Sequence, residues 1–225
     1  MTFPFVLATG LAGLALWLAF AVHAASRRRT ATRAGFFDAV APLFDRVAKQ
    51  LEPTGFARMT GHLGPRAFDL RALPDSLTFR KLPALWVMVS LPAPLPVDAT
   101  LDILTRPSGQ EPFTGFSNLP QALPCPDFLP EGTGLRSDNA ARVPPAALIA
   151  RHAGLFDDPS VKELLISPKG LRLVILGEEA ERGHYLIFRD AEVGQVPLSP
   201  ARLSPLLAAL AALRDDLVAT ARIAG

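Results

Sequence analysis

The chain has 225 residues and 49% hydrophobic side chains, enough for one ordinary domain with a sizeable core plus something extra, and too apolar for global disorder. One cysteine, Cys125, excludes an intrachain disulfide and any site built from several thiolates. The pI near 9.0 is local in origin: removing Arg27, Arg28, Arg29 and Arg33 from the 23 basic residues leaves 19 against 21 acidic ones, net −2 over residues 34–225, which excludes a nucleic-acid-binding face.

Residues 2–22 carry no charged side chain. That is about the ~20 residues a helix needs to cross a ~30 Å hydrocarbon core. A cleavable export signal would have a positive start, a shorter apolar stretch and a cutting site. Here only Val22-His23-Ala24 offers small residues for cutting, the start is uncharged, and the arginines follow the apolar run. Basic flanks stay in the cytoplasm. The expectation is therefore a transmembrane helix over 2–25, then a basic juxtamembrane linker over 26–34, then a soluble domain over 35–225. Arg27, Arg28, Arg29 and Arg33 set the topology, with the N-terminus outside and the C-terminal domain at the cytoplasmic face of the inner membrane. Trp17 and His23 fall towards the arginine end. Ala8, Ala12, Ala15 and Ala19 recur on one face and make self-association possible. Alanine is common throughout the chain, and Gly10 and Gly13 form no Gly-xxx-Gly pair, which favours the plainer reading. The linker arginines also suit contact with anionic headgroups.

Phe36, Phe37, Val40, Leu43, Phe44, Val47 and Leu51 follow a helical spacing, which predicts an amphipathic helix ended by Pro53 and Gly55. Pro42 kinks it or marks a late first turn. Two short runs flank His62-Leu63-Gly64-Pro65 and predict a hairpin. LPALWVMVSLPA, containing Trp86, Val87, Met88 and Val89, reads as a buried strand, and ATLDILTRP as another. Pro92, Pro94 and Pro96 between them cannot donate ladder hydrogen bonds.

Residues 106–145 are the least regular part, with eight prolines. A free loop of that length is uncommon in a compact domain. Phe113, Phe116 and Phe128 predict packing against the body. Pro144 and Pro145 suit the first turn of a helix ending near Gly154. The runs 161–166, 171–176 and 184–190 predict a three-stranded meander, with a helix at VKELLIS as the rival. Leu203, Leu206, Leu207, Leu210, Leu213, Leu217 and Val218 form the apolar stripe of a C-terminal helix that Ser199 caps. Consecutive strands joined by short turns give antiparallel sheet, and the class is α+β.

No catalytic, cofactor-binding or metal-ligating residue is assigned. Glu178, Glu179, Glu181 and His184 sit close together, and Glu181-x-x-His184 has a di-iron spacing. The segment lies between Gly177 and Gly183, so it reads as a charged hairpin tip. His62 and His152 read as surface residues without a partner. Asp138, and Asp157 with Asp158, read as turn formers. There is no His-Glu-x-x-His, Gly-x-Ser-x-Gly, Walker or Rossmann pattern. Cys125, between two prolines, has no histidine close in sequence to activate it.

The arginine collar, the GHLGPR turn, WVMVSLP followed by LDILTRP, and KELLISPKGLRLVIL leading into a last helix together resemble uncharacterised bacterial single-pass proteins. Those have an N-terminal membrane anchor and a cytosolic α+β domain. The resemblance implies a layout and assigns no residue a role. The expected function is a membrane-anchored, non-enzymatic interaction domain, with the lipid bilayer and an unknown protein as partners. The alternatives are an enzyme of unrecognised type with its site at 106–145, or an exported envelope-binding protein if the anchor is cleaved or inverted.

Overall fold

The structure is a computed structural model that describes residues 3–75, 82–180 and 193–224. It is an α+β protein: a long apolar helix, then a nine-stranded antiparallel sheet with helices. In chain order the elements are α1 (Phe3–Ala34), β1 (Asp45–Leu51), β2 (Ala57–Leu63), β3 (Arg66–Asp75), β4 (Ala84–Pro92), β5 (Leu101–Thr105), β6 (Gln121–Leu123), β7 (Thr133–Ser137), α2 (Ala146–Ala150), β8 (Val161–Ser167), β9 (Gly170–Glu179) and α3 (Pro200–Ala224). The sheet order is β1-β2-β3-β4-β9-β8-β5-β7-β6.

Helix α1 runs unbroken through the arginine collar, so residues 26–34 are helical. Its apolar stretch is not covered by the domain. Leu11, Leu14, Leu16, Trp17, Leu18, Phe20 and Val22 are all exposed. At 100° per residue these positions point to every side of the helix. A helix that is apolar all round belongs in lipid or inside a large core, and among the described residues no core surrounds this one from Gly10 onwards.

The expected helix over 36–51 is not formed. Residues 35–40 are turns, Ala41–Leu43 is one 3-10 turn, and residues 45–51 are β1. Pro42 removes a donor in mid-segment and Arg46 takes φ +52, which a right-handed helix does not contain. The apolar spacing is still used. Phe36, Phe37, Val40 and Phe44 are buried, with Phe36 edge-on to Phe37 and Phe56, while Val47 and Leu51 are exposed on the edge strand. The hairpin at Gly64-Pro65 forms between β2 and β3, with Leu63 opposite Arg66. The strands expected at Trp86–Val89 and Leu101–Ile103 are β4 and β5, and VKELLIS is strand β8. The expected third strand at 184–190 lies outside the described residues, as do Glu181 and His184.

One sheet face carries the main core. Phe68 and Leu70 of β3, Val87 and Val89 of β4, Leu173 and Ile175 of β9, Leu164 and Ile166 of β8, and Ile103 of β5 are buried there. The expected stripe of α3 closes this face: Leu203, Leu206, Leu207, Leu210, Leu213 and Leu217 are buried, and Val218 partly so. Arg202 ties the helix to β9 by donating to the carbonyls of Gly177, at 2.9 Å, and Leu176. The other face is different. Cross-strand partners place Asp69, Ser90, Arg172, Leu165, Asp102 and Arg136 in one row, and Met88, Val174, Glu163 and Leu104 in the next. Residues 106–119 cross this polar face as a strap.

Candidate functional site

The proline-rich region divides into two parts with different tasks. The first, 106–119, is fastened down. Phe113 is buried on Trp86, ring centroids 4.9 Å apart. Phe116 lies under the Arg136 guanidinium at 5.8 Å, and Arg136 Nε donates to the Leu119 carbonyl at 2.7 Å. Glu111 accepts from Ser108 N and Oγ at 2.6 and 2.8 Å and pairs with Lys162 at 3.3 Å. Thr114 Oγ1 donates to Asp102 Oδ2 at 3.1 Å. The expected packing of Phe113 and Phe116 holds.

Beneath the strap two carboxylates share one arginine. Asp102 and Glu163 are 1% and 0% exposed. Arg172 donates to Glu163 from Nε at 2.9 Å and from a terminal nitrogen at 3.2 Å. Burial, then the neighbouring Glu163 charge, pushes the Asp102 carboxyl up to about 7. Burial also raises Glu163, against the pull of Arg172. Buried carboxyls with raised pKa are what a general acid needs. These two are sealed under Phe113, Trp86 and Thr114, and their position fits fastening the strap. The described histidines do not join them. His23 is on α1, His62 is in β2 opposite Ala67, and His152 Nε2 meets Asp216 Oδ2 at 3.0 Å. His152 is thus not a free surface residue: it is half-buried and links the end of α2 to α3.

The other acidic residues singled out in the sequence are structural where described. Asp138 accepts from Thr100 N at 2.8 Å, and Asp158 from Ser160 N at 2.8 Å. Glu178 Oε2 accepts from Gly194 N at 2.7 Å. Cys125 is exposed, with its thiol 3.6 Å from the Pro126 carbonyl. No group of three or more metal-ligating side chains occurs among the described residues.

The second part of the proline-rich region, 120–145, builds an open groove at the far edge of the sheet. Strand β6 is three residues long and flanked by Pro120 and Pro124. The chain then leaves the sheet and turns, with Leu129 N donating to the Pro126 carbonyl at 3.1 Å. Phe128 and Leu129 come back towards Leu101 and Leu135, and Val143, Pro144, Ala146 and Ile149 of the α2 segment form the opposite wall. The groove holds about 180 Å³, and every lining side chain is apolar. A dry cavity of roughly 150 Å³ takes one benzene ring, so this one suits a single large apolar group. Two signals were missed in the sequence: strand β7, which has one large apolar residue, and the groove, which only the fold assembles.

At the opposite edge the four collar arginines separate. Arg27 and Arg28 are exposed, whereas Arg29 and Arg33 line a cavity between α1 and the β1–β2 turn. Arg33 lies over the Phe56 ring at 5.5 Å.

No protein-family model matches the chain, and no curated protein matches it. Among solved structures it is similar to the crystal structure of the mycobacterial trehalose monomycolate transport factor A, TtfA. The identity is 10%, the alignment covers 85% of this chain and 95% of that one, and the TM-score is 0.39. A likeness at that level bears on neither the site nor the role of this chain.

Proposed function

We propose that this chain is a membrane-anchored, non-enzymatic interaction module. In this reading α1 crosses the inner membrane once with its N-terminus outside, and the sheet domain lies at the cytoplasmic face. The far-edge groove takes one large apolar side chain of a partner protein. The observation that carries the reading is the exposure of α1 on every side from Leu11 to Val22, followed at once by the arginines. The sheet then spaces the two ends. Eight strand-to-strand steps of ~4.8 Å separate the groove edge from the anchored edge by about 40 Å across the sheet. The three-residue β6 between its prolines blocks strand addition, so recognition would rest on a side chain in the groove rather than on backbone pairing.

The test is a photo-crosslinking residue at Ala146, on the exposed groove rim, in living cells. The reading expects one discrete protein adduct. That adduct should vanish when Leu135 on the groove floor is changed to Phe to fill it, and persist with the same change made elsewhere on the surface. An adduct pattern indifferent to filling the groove would sink the interaction site.

A further inference from the structure

The strap over the polar sheet face is rooted at both ends. At its start Arg106 N donates to the Gly132 carbonyl at 3.1 Å and the Arg106 guanidinium to the Pro159 carbonyl at 2.8 Å. Lys162 Nζ donates to the Arg106 carbonyl at 2.6 Å. At its far end the chain passes into β6, which pairs with β7. Between the roots Gly109 takes φ +77 with open space around it, a joint that a side-chain-bearing residue would stiffen. Residues 110–119 beyond that joint carry Phe113, Thr114 and Phe116.

Beneath them the charges do not balance. Two buried carboxyls, Asp102 and Glu163, lie near one guanidinium, and Arg172 donates twice to Glu163. Asp102 Oδ2 accepts from the Thr114 hydroxyl at 3.1 Å, whereas Asp102 Oδ1 is buried with no hydrogen-bond partner among the described residues. The remaining charged groups of the neighbouring elements are used on the strap. Arg136, the cross-strand partner of Asp102 on β7, gives Nε to the Leu119 carbonyl and lies over the Phe116 ring. Glu111 pairs with Lys162 of β8. A neutral acid at Asp102 leaves one anion facing one cation. An ionised one adds an unmatched buried charge with a bare oxygen, which is costly while water is kept out. The carboxyl is accordingly pushed up to about 7 by burial, then by the Glu163 charge. Lifting the strap admits water to this oxygen. It also uncovers Trp86, Leu104 and Val174, which adjoin the half-buried Leu73, Met88 and Leu176.

We infer that residues 110–119 are a pH-operated cover, closed over the protonated Asp102 carboxyl and lifted on its ionisation to expose an apolar row of the sheet. The closed form holds the proton more tightly than the open, hydrated form. Opening therefore becomes more frequent as pH rises from the ordinary carboxylate range to about 7, and levels off above it. With the open-form carboxyl at its ordinary value, the rise from pH 5 to pH 8 is roughly a hundredfold.

The experiment is hydrogen exchange of the full chain in detergent, read by mass spectrometry and corrected for the chemical dependence of amide exchange on pH. The reporters are the amides of Phe116, Asn118 and Leu119, whose hydrogen bonds lie within the strap, compared with amides of β4. Strap protection should fall roughly a hundredfold from pH 5 to pH 8. It should depend little on sub-denaturing urea, because a local opening exposes little surface. Amides of β4 should stay better protected and show the full urea dependence of unfolding. Asp102→Asn should remove most of the pH dependence of the strap. Thr114→Val, which loses the strap's bond to Asp102 and keeps the carboxyl, should raise opening a few-fold at pH 5 and retain that dependence. Strap amides that exchange only together with β4, with the same urea slope, would show that the segment is part of the core and no cover. Strap protection indifferent to pH, or equally pH-dependent in Asp102→Asn, would show that this carboxyl does not operate it.

Discussion

Replacing Asp102 with asparagine tests whether the strap is fastened over a proton. Asp102 is 1% exposed, and its carboxyl is pushed from 3.8 up to about 7 by burial and by Glu163. The folded state therefore holds this proton more tightly than the unfolded chain does. The stability it contributes is fully present below pH 3.8 and is lost as pH rises through about 7. Between pH 5 and pH 8 that loss is about 2–3 kcal/mol, since each pH unit between the two pKa values removes about 1.36 kcal/mol. Glu163 is raised too and adds in the same direction. Glu111 and Asp215 are lowered, so their contribution is lost only as pH falls below the ordinary carboxylate range, outside this window. Asparagine copies the shape of the neutral acid and can still accept from Thr114. The assay is urea unfolding of the full chain in detergent, followed by Trp86 emission in a Trp17→Phe background. Near pH 5 the variant should differ little from wild type. At pH 8 it should have gained about 2–3 kcal/mol on wild type. A gap between the two proteins that stays constant from pH 5 to pH 8 would refute the reasoning, because titrations of groups remote from Asp102 are common to both and cancel, while losing the Asp102 charge only eases ionisation of Glu163 in the variant and widens the gap in the same direction.

Arg172→Met removes the partner of a fully buried Glu163, and should cost about 3–5 kcal/mol at pH 8 and less at pH 5, where Glu163 can take a proton; urea midpoints at the two pH values measure it. Gly61→Ala puts a Cβ 2.7 Å from the buried Phe44 Cβ and should lower stability by about 1–3 kcal/mol, read as a fall in thermal midpoint without change of fold. Ala146→Arg adds a charge at the exposed groove rim, and should leave the stability within about 0.5 kcal/mol of wild type, read from the urea midpoint. Changing Arg27, Arg28 and Arg29 together to Glu should weaken or invert the orientation of α1; an unaltered orientation would show that these charges do not set it.

The elements legible in the sequence were those whose pattern and tertiary use agree. WVMVSLP is buried on both faces as β4, and the leucine stripe of α3 meets the sheet along its length. The stretch 36–51 misled because its apolar spacing is helical while its backbone obeys Pro42 and Arg46. The phenylalanines reach the core from turns, and β1 pairs with β2 despite having no buried residue. Strand β7 was hidden because Thr-Gly-Leu-Arg-Ser carries one large apolar side chain; its place is set by β5 and β6 on either side. The buried pair of Asp102 and Glu163 was equally hidden, since 61 positions separate two residues that only the β5–β8 pairing brings together. The collar arginines were visible as charge. Their division into exposed Arg27 and Arg28 and docked Arg29 and Arg33 needed the helix to continue past Ser26 against the β1–β2 turn.

The most direct measurement uses the chain's own reporter. Cys125 is the single cysteine, and it is exposed on the domain. A membrane-impermeant maleimide is added to intact spheroplasts and, separately, to permeabilised ones, with the membrane pellet analysed in both. The account predicts no labelling until the membrane is opened, on a full-length chain that stays in the pellet. Labelling of Cys125 in intact spheroplasts, or a shortened chain released from the membrane, would contradict it.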